Sequence, residues 1–186
     1  MKRIVGKLLI IVGLLTIGTV LYINYKTTQI NQSFVTEYKE STKTLEGRKD
    51  EYQIGNIIGI LNIPKIDLEV AIKKGVTNEV LKDAVGYFEN TPMPYENGNF
   101  SIAGHSAYTS NKFFSKLDKV EIGDEIIVLC ENKTYKYIAN SIEVVTPDKV
   151  EVLDSTDKNK KEITLVTCTP KYIGSHRLVV KGTYVK

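Results

Sequence analysis

The sequence of 186 residues is poor in the residue types that hold metals, nucleotides and nucleic acids. It has two cysteines and two histidines, which are too few for a zinc site, and it lacks a glycine-rich phosphate loop. The 25 Lys and Arg residues nearly balance the 22 Asp and Glu residues, and both signs are interspersed along most of the chain. Such a balance gives no reason to expect nucleic acid binding. We therefore predict no metal, no cofactor and no nucleic acid partner.

An uncharged apolar stretch lies near the N-terminus, from Leu8 to Asn24. With Lys7 reaching toward the interface it extends to about 20 residues, the length that spans a bilayer core. The alternative is a cleaved signal peptide, but residues 18–20 make a poor cleavage site and more apolar residues follow. We predict a single-pass anchor at residues 1–25 that holds the chain at the cell membrane. Three cations precede the stretch, which by the positive-inside rule predicts a cytoplasmic N-terminus and an extracellular remainder: Lys2, Arg3 and Lys7.

After the anchor the composition changes twice. Residues 26–54 are polar and free of proline, which predicts an extracellular stalk that is helical in part. From residue 55 to 186, short β-patterned runs such as EIIVLC and KEITLVTC are separated by turn residues. Few helical crossovers interrupt them, which favours a mostly β domain with an antiparallel or mixed barrel. Two segments are predicted as short helices: residues 77–89, with an N-cap at Thr77 or Asn78, and residues 110–120.

The two cysteines stand in different settings. Cys130 ends EIIVLC, whereas Cys168 lies inside TLVTCTP at the end of a β-patterned run. An extracellular location would permit a disulfide between them, but their unlike settings argue against one. The ordinary alternative for a free cysteine is a small buried hydrophobe. A nucleophilic cysteine would need a proton-handling partner and a group that stabilises an oxyanion.

Two histidines and one arginine are the candidates for those roles. His105 follows a β-patterned run in the Gly-flanked, small-residue segment SIAGHSAYTS, where its side chain has room to reach a groove. His176 falls on the opposite face of its run from Arg177. If the runs flanking TPKYIGSH are neighbouring strands, Cys168 and Arg177 lie at the same rim. A guanidinium there would donate to a carbonyl oxygen or favour a thiolate. Taken singly, His105 is read more simply as structural and Arg177 as a surface cation.

Taken together, these residues indicate a function more specifically than any of them does singly. The order His105, a gap, TLVTC, and Arg177 nine positions after Cys168 resembles the sortase family, the membrane-anchored cysteine transpeptidases of Gram-positive bacteria. The resemblance covers residues 56–186 and implies an eight-stranded β-barrel whose groove holds His105, Cys168 and Arg177 as catalytic residues.

By this resemblance, Cys168 would attack an LPxTG-like sorting signal and form a thioacyl enzyme that a peptidoglycan-precursor amine resolves. His105 would protonate the leaving amine and deprotonate the incoming one. Arg177 would stabilise the oxyanion or hold the substrate backbone. Proximity to Cys168 adds three candidates for the lining of the substrate groove: Val166, Thr169 and Tyr172.

Within the family, class D is the expected subclass. The polar stalk has no proline for the Asp-Pro-aromatic lid of pilin-assembling sortases, and no second apolar span is expected before Lys186. Residues 146–164 are too short for the added helix of the haem-protein-anchoring class. An L,D-transpeptidase is one alternative, but it would need a Ser-His-Gly-Cys-type cluster where Thr167 flanks Cys168. A papain-like peptidase would place its cysteine before its histidine. The alternative from another class is a non-catalytic, membrane-tethered β-domain that binds cell-wall peptides.

Overall fold

A computed structural model describes residues 2–44, 57–106 and 113–185 of the chain. The helices are α1 (Lys2–Thr44) and α2 (Asn78–Asp83). Three short 3-10 helices lie between strands, at Pro64–Ile66, Leu117–Lys119 and Val150–Leu153. The strands are β1 (Ile57–Ile63), β2 (Leu68–Lys74), β3 (Val85–Tyr87), β4 (Gly98–Ala103), β5 (Glu125–Cys130), β6 (Lys133–Val145), β7 (Lys161–Thr169) and β8 (His176–Val185).

The eight strands close into a barrel in the order β1-β2-β3-β4-β7-β8-β6-β5. Two neighbouring pairs are parallel, β2 with β3 and β4 with β7, and the other pairs are antiparallel. Alternate residues of each strand point inward. In β4 these are Phe100 and Ile102, and in β7 Ile163 and Leu165, all buried in one core. The predicted mostly β fold with an eight-stranded barrel is confirmed.

One end of the barrel collects the segments that carry the predicted site. Because β4 and β7 are parallel neighbours, they finish at the same end, and antiparallel β8 begins there. The strand directions place two 3-10 helices at this end as well, Pro64–Ile66 after β1 and Leu117–Lys119 before β5. We call it the rim end. The opposite end, where β4 and β7 begin and β5 finishes, is called the far end.

The segment 77–89, predicted as a helix, is helical only in its first half. The N-cap of α2 is Thr77, whose hydroxyl accepts a hydrogen bond from the Val80 N–H at 3.4 Å. The next residues form β3, which pairs with β2 on one side and β4 on the other. Gly86 permits this close approach, since a Cβ there would lie 2.3 Å from the carbonyl oxygen of Gly75. Sheet hydrogen bonds to two neighbours outweigh the local helical pattern.

The second predicted helix, residues 110–120, is also shorter than expected. Residues 110–112 lie outside the described part of the chain, turns follow from Phe113, and a 3-10 helix occupies Leu117–Lys119. Phe114 and Leu117 are buried in the barrel core. The apolar spacing in this segment therefore belongs to an irregular connection that covers the rim end.

Helix α1 continues past the apolar stretch and packs on the barrel. Val35 and Tyr38 pack with Phe34 against β1 and β2 residues that include Ile57 and Ile60. The predicted stalk is thus helical as far as Thr44, and residues 45–54 lie outside the described residues. The buried or half-buried positions of this packed face recur at a helical spacing of three to four residues, as an amphipathic helix requires: Asn24, Thr27, Ile30, Asn31, Phe34, Val35, Tyr38, Lys39 and Ser41.

Asn31 fixes the helix to the edge of β2. Its side-chain Nδ2 donates to the carbonyl of Glu69 at 3.0 Å, and its Oδ1 accepts from the N–H of Ala71 at 3.1 Å. Among the described strands, β3 pairs with β2 only at residues 72–74. The amide of Asn31 therefore satisfies backbone groups that a neighbouring strand would otherwise take. Lys39 adds an ion pair with Glu69 at 2.7 Å.

Candidate active site

The parallel register of β4 and β7 brings the His105 and Cys168 segments together. The last pair in this register is Ala103 with Val166. His105 and Cys168 each lie two residues beyond that pair, so the two segments that carry them leave the barrel side by side. Neighbouring strands lie about 4.8 Å apart. The structure therefore brings together two residues that are 63 positions apart in the sequence.

Two hydrogen bonds tie these strand ends to each other. The N–H of Gly104 donates to the carbonyl of Val166 at 3.1 Å. The buried hydroxyl of Thr167 donates to the carbonyl of Gly104 at 2.7 Å. Each bond joins the residue before His105 to β7 close to Cys168. Neither bond was predicted, because nothing local in the sequence indicates which strand lies beside β4.

Gly104 is required at its position by packing. A Cβ on it would lie 2.7 Å from Cδ2 of Phe114, whose ring is buried against it. The sequence predicts that the small residues around His105 leave space for the histidine side chain. The structure shows that Gly104 instead makes room for Phe114, whose N–H donates to the carbonyl of His105 at 3.0 Å.

Cys168 and Arg177 are direct cross-strand partners in the antiparallel pair of β7 and β8. On β7 the core residue Leu165 points inward, so Cys168 points outward, and on β8 the core residue Leu178 places Arg177 outward as well. Both side chains are half-buried on the outer face of the barrel at the rim end. The geometry thus matches the prediction that they share one rim, and it also puts them on one face, which was not predicted.

Arg177 also holds the loop between β7 and β8. Its Nη1 donates to the carbonyls of Gly174 and His176, both at 3.0 Å. Gly174 has a φ of 67°, and a Cβ built on it would lie 3.6 Å from Cβ of Cys168. The loop therefore folds back over the cysteine and is fixed there by the arginine. Among the described residues, Nε and Nη2 of Arg177 remain for an incoming group.

The three groove candidates occupy different environments. Val166 is half-buried on the outer face and packs in a second apolar cluster with Val152 and Val179. Thr169 is half-buried at the last pair of β7 and β8, opposite His176. Tyr172 lies in the loop over Cys168 and is exposed. His176 is exposed, and its Nδ1 lies 2.9 Å from the hydroxyl oxygen of Ser175.

Cys130 contrasts with Cys168 in both place and chemistry. Both are free thiols, but Cys130 lies inside the barrel core at the far end and Cys168 on the outer face at the rim end. Burial, with a smaller effect of Glu131, raises the pKa of Cys130 to about 12. A thiol of that pKa stays protonated near neutral pH, so Cys130 is unsuited to be the nucleophile. The described residues include no group of three or more His, Cys, Asp or Glu side chains that would hold a metal ion.

A cysteine on β7, an arginine opposite it on β8 and a histidine just beyond the end of β4 thus lie at one rim, a composition suited to acyl transfer through a cysteine nucleophile. Comparison with known proteins gives the family. The family model described as Sortase domain matches residues 61–185, and the chain therefore belongs to the sortase family of transpeptidase enzymes. The resemblance drawn from His105, TLVTC and Arg177 is confirmed at the level of the family.

Individual relatives agree with this assignment. Sortase A of Bacillus anthracis is 32% identical over 98% of this chain and 93% of its own length. Sortase SrtE1 of Streptomyces coelicolor is 29% identical over the whole chain, which spans 57% of that longer protein. Among solved structures, a Clostridium perfringens sortase D5 transpeptidase has a TM-score of 0.68 and 36% identity, over 86% of this chain and 98% of its own. Sortase E1 of Streptomyces coelicolor, solved with a tripeptide in its active site, has a TM-score of 0.65 and 34% identity over 71% of this chain and 90% of its own.

Proposed function

We propose that the chain is a membrane-anchored sortase that cleaves an LPxTG-like sorting signal and joins the acyl fragment to a cell-wall amine. One observation carries the proposal: the β4–β7 and β7–β8 registers bring His105, Cys168 and Arg177 to neighbouring positions at the rim end. Membership of the sortase family supports the chemistry. The tripeptide in the active site of the Streptomyces sortase E1 structure supports a peptide substrate.

In the proposed reaction, the thiolate of Cys168 attacks the carbonyl carbon of the scissile peptide bond, and a carbon–sulfur bond forms. The carbon–nitrogen bond then breaks, and His105 gives the leaving amine its proton. In the second half of the reaction, the proton transfer runs in the opposite direction. The amine of a peptidoglycan precursor attacks the thioacyl carbonyl, His105 takes its proton, and Cys168 leaves as the thiolate.

Arg177 is the proposed oxyanion and substrate-backbone ligand. Its Nη1 is held by two backbone carbonyls, which fixes the plane of the guanidinium next to Cys168. A planar group fixed in this way can direct its other N–H groups at a carbonyl oxygen. Val166, Thr169 and Tyr172 remain proposed groove residues because of their proximity to Cys168 along β7 and the following loop.

The proposed location is the cell membrane, with residues 1–25 as the anchor, residues 26–54 as an extracellular connection and residues 55–186 as the catalytic domain. The apolar side chains of α1 before Lys26 are exposed, and the helix is long and apolar enough to cross a membrane. The cations before the apolar stretch favour a cytoplasmic N-terminus.

Class D is the proposed subclass. The Clostridium perfringens sortase D5 structure supports it with 36% identity over nearly all of its length, and sortase D of Bacillus subtilis is 29% identical over 72% of this chain. The match to Bacillus anthracis sortase A is of similar strength. The assignment therefore rests on the D5 structure together with the lack of proline in residues 26–54.

The test is incubation of the full chain with a library of sorting-signal peptides and an amine acceptor, read by mass spectrometry. We expect cleavage, an acyl adduct on Cys168, and loss of both in Cys168→Ala. The matched control is Cys130→Ala, which should cleave normally because that thiol is buried in the core at the far end. Binding without cleavage would support the non-catalytic alternative. Equal loss of activity in both variants, with unchanged circular dichroism, would contradict the assignment of the nucleophile.

A further inference from the structure

The contact between α1 and the barrel begins where the apolar stretch ends. Asn24, the last residue of that stretch, lines a crevice with Leu68 and Lys116, and Thr28 lines the same crevice one turn further along. Residues of α1 before Asn24 that the structure describes are almost all exposed. At about 1.5 Å per residue, the first barrel contacts lie within about 6 Å of the end of the apolar stretch along the helix axis. A bilayer around that stretch leaves no spacer before the barrel.

The direction of α1 along the barrel determines which end lies nearest the apolar stretch. The crevice beside Asn24 is formed by the 3-10 helix after β1 and by the segment before β5, both at the rim end. Asn31 follows at Glu69 and Ala71. Further along, Tyr38 reaches the far end, where its hydroxyl donates to the carbonyl of Ile58 at 3.1 Å. The helix therefore runs from the rim end to the far end.

A chain of contacts links this crevice to the active-site loop. Lys116, exposed beside Asn24, precedes the 3-10 helix that carries Asp118. Asp118 forms an ion pair with Lys171 at 2.7 Å. Lys171 is followed directly by Tyr172 and Ile173 in the loop over Cys168. The loop thus lies at the same end of the barrel as the crevice beside Asn24, where the apolar stretch of α1 ends.

The exposed apolar side chains of the barrel are distributed unevenly. Ile122, Tyr172 and Ile173, which are 64–76% exposed, lie in turns at the rim end. In the loops before β3 and β4 at the far end, Val76 and Tyr95 are 39% exposed or less. Val144 and Val150, 60% and 64% exposed, lie near the end of β6 and in the connection from β6 to β7. Large exposed apolar side chains grouped on one surface are typical of a site that binds another protein or a membrane. Aromatic residues and lysines are suited to the lipid headgroup region.

We propose that the rim end of the barrel rests on the bilayer that holds α1, with Ile122, Tyr172 and Ile173 in the headgroup region and Cys168 directly above it. This inference rests on the anchoring part of the proposed function. It is independent of the catalytic roles given to His105, Cys168 and Arg177. The partner of this surface is lipid. A site held in this position acts on peptides presented at the membrane surface.

The chain contains no tryptophan, so single tryptophans report depth without background. The full chain is reconstituted in vesicles of phosphatidylcholine and phosphatidylglycerol, with and without brominated acyl chains that quench tryptophan on contact. Ile173→Trp probes the rim end, Tyr95→Trp is the matched control at the far end, and Leu14→Trp probes the anchor. Ile122→Trp is a second rim probe should Ile173→Trp fail to fold by circular dichroism.

We expect loss of emission in brominated vesicles for Leu14→Trp and Ile173→Trp, and none for Tyr95→Trp. Quenching at Leu14→Trp alone would overturn the orientation while leaving the anchor in place. Quenching of Tyr95→Trp to the same extent as Ile173→Trp would mean general adsorption and would also overturn it. No quenching at Leu14→Trp would overturn both the orientation and the anchor. None of these readouts depends on peptide cleavage, so they separate from a failure of the proposed chemistry.

Discussion

Removing the hydroxyl of Thr167 is a minimal change that tests how His105 and Cys168 are aligned. Thr167→Val keeps the side-chain shape and removes the 2.7 Å donor to the carbonyl of Gly104. The site is buried, so the carbonyl loses a partner that water cannot readily replace. Such a loss costs about 1–3 kcal/mol of unfolding free energy. In equilibrium terms this is a roughly 5- to 150-fold fall in the folding constant, at about 1.4 kcal/mol for each factor of ten.

Activity should fall by more than stability explains. Gly104 precedes His105, and with the bond removed Gly104 keeps its N–H bond to Val166 but loses the contact of its carbonyl with β7. A displacement of about 1 Å between reacting groups can cost on the order of 100-fold in rate. We therefore expect kcat/KM of Thr167→Val to drop about tenfold or more under conditions where the protein is fully folded.

Two assays check this reasoning, urea unfolding and the rate of peptide transpeptidation. Thr167→Ser is the control, because it keeps the hydroxyl and loses only a methyl group, worth about 0.8 kcal/mol. The serine variant should keep most of the activity and the valine variant should not. The reasoning would be refuted by a valine variant with unchanged urea midpoint and unchanged kcat/KM, or by a serine variant as impaired as the valine.

Two further predictions follow from Arg177 and α1. Arg177→Lys keeps the charge but loses the planar guanidinium and its hydrogen bonds to the carbonyls of Gly174 and His176, so turnover should fall by about 100-fold. Turnover near that of the unmodified chain would reject the geometric role. Circular dichroism controls for folding. Removing residues 1–25 should give a soluble, active domain, because the packed face of α1 stays in place. Removing residues 1–41 should lower the unfolding free energy by about 3 kcal/mol or more, because Val35 and Tyr38 are buried against β1 and β2. Equal urea midpoints for the two truncated proteins would contradict this packing.

The candidate site was predictable to the extent that it depends on short-range geometry. Cys168 and Arg177 flank a short connection, so their shared rim follows if the two runs pair, whereas their shared face also depends on the register of the pair. The neighbour relation of β4 and β7 was not predictable in this way. Residues 104–160 separate those strands, and a parallel register between them is set by the whole barrel. His105 could therefore be chosen only through the family resemblance, and Thr167 could not be chosen at all.

Two features of the fold were missed for related reasons. β3 is too short to show an alternating pattern, and it closely follows α2, which has a real N-cap at Thr77, so its residues were assigned to the helix. The packed face of α1 contains Thr27 and Asn31, which are polar although buried. The apolar periodicity of that part of the helix is therefore interrupted and rests on Ile30, Phe34, Val35 and Tyr38. Its role became visible only when the partners of Asn31 on β2 were known.

The two hydrogen bonds of Asn31 to β2 affect whether copies of this domain can associate through that strand edge. A strand edge with open N–H and C=O groups is a template for any other extended chain, including the same strand of a second molecule. The first residues of β2 form such an edge on the side that β3 leaves unpaired, and α1 covers it with an amide that uses both its donor and its acceptor. The helix thereby protects this edge from edge-to-edge association, which matters most in the proposed membrane-anchored state, where copies would be confined to two dimensions.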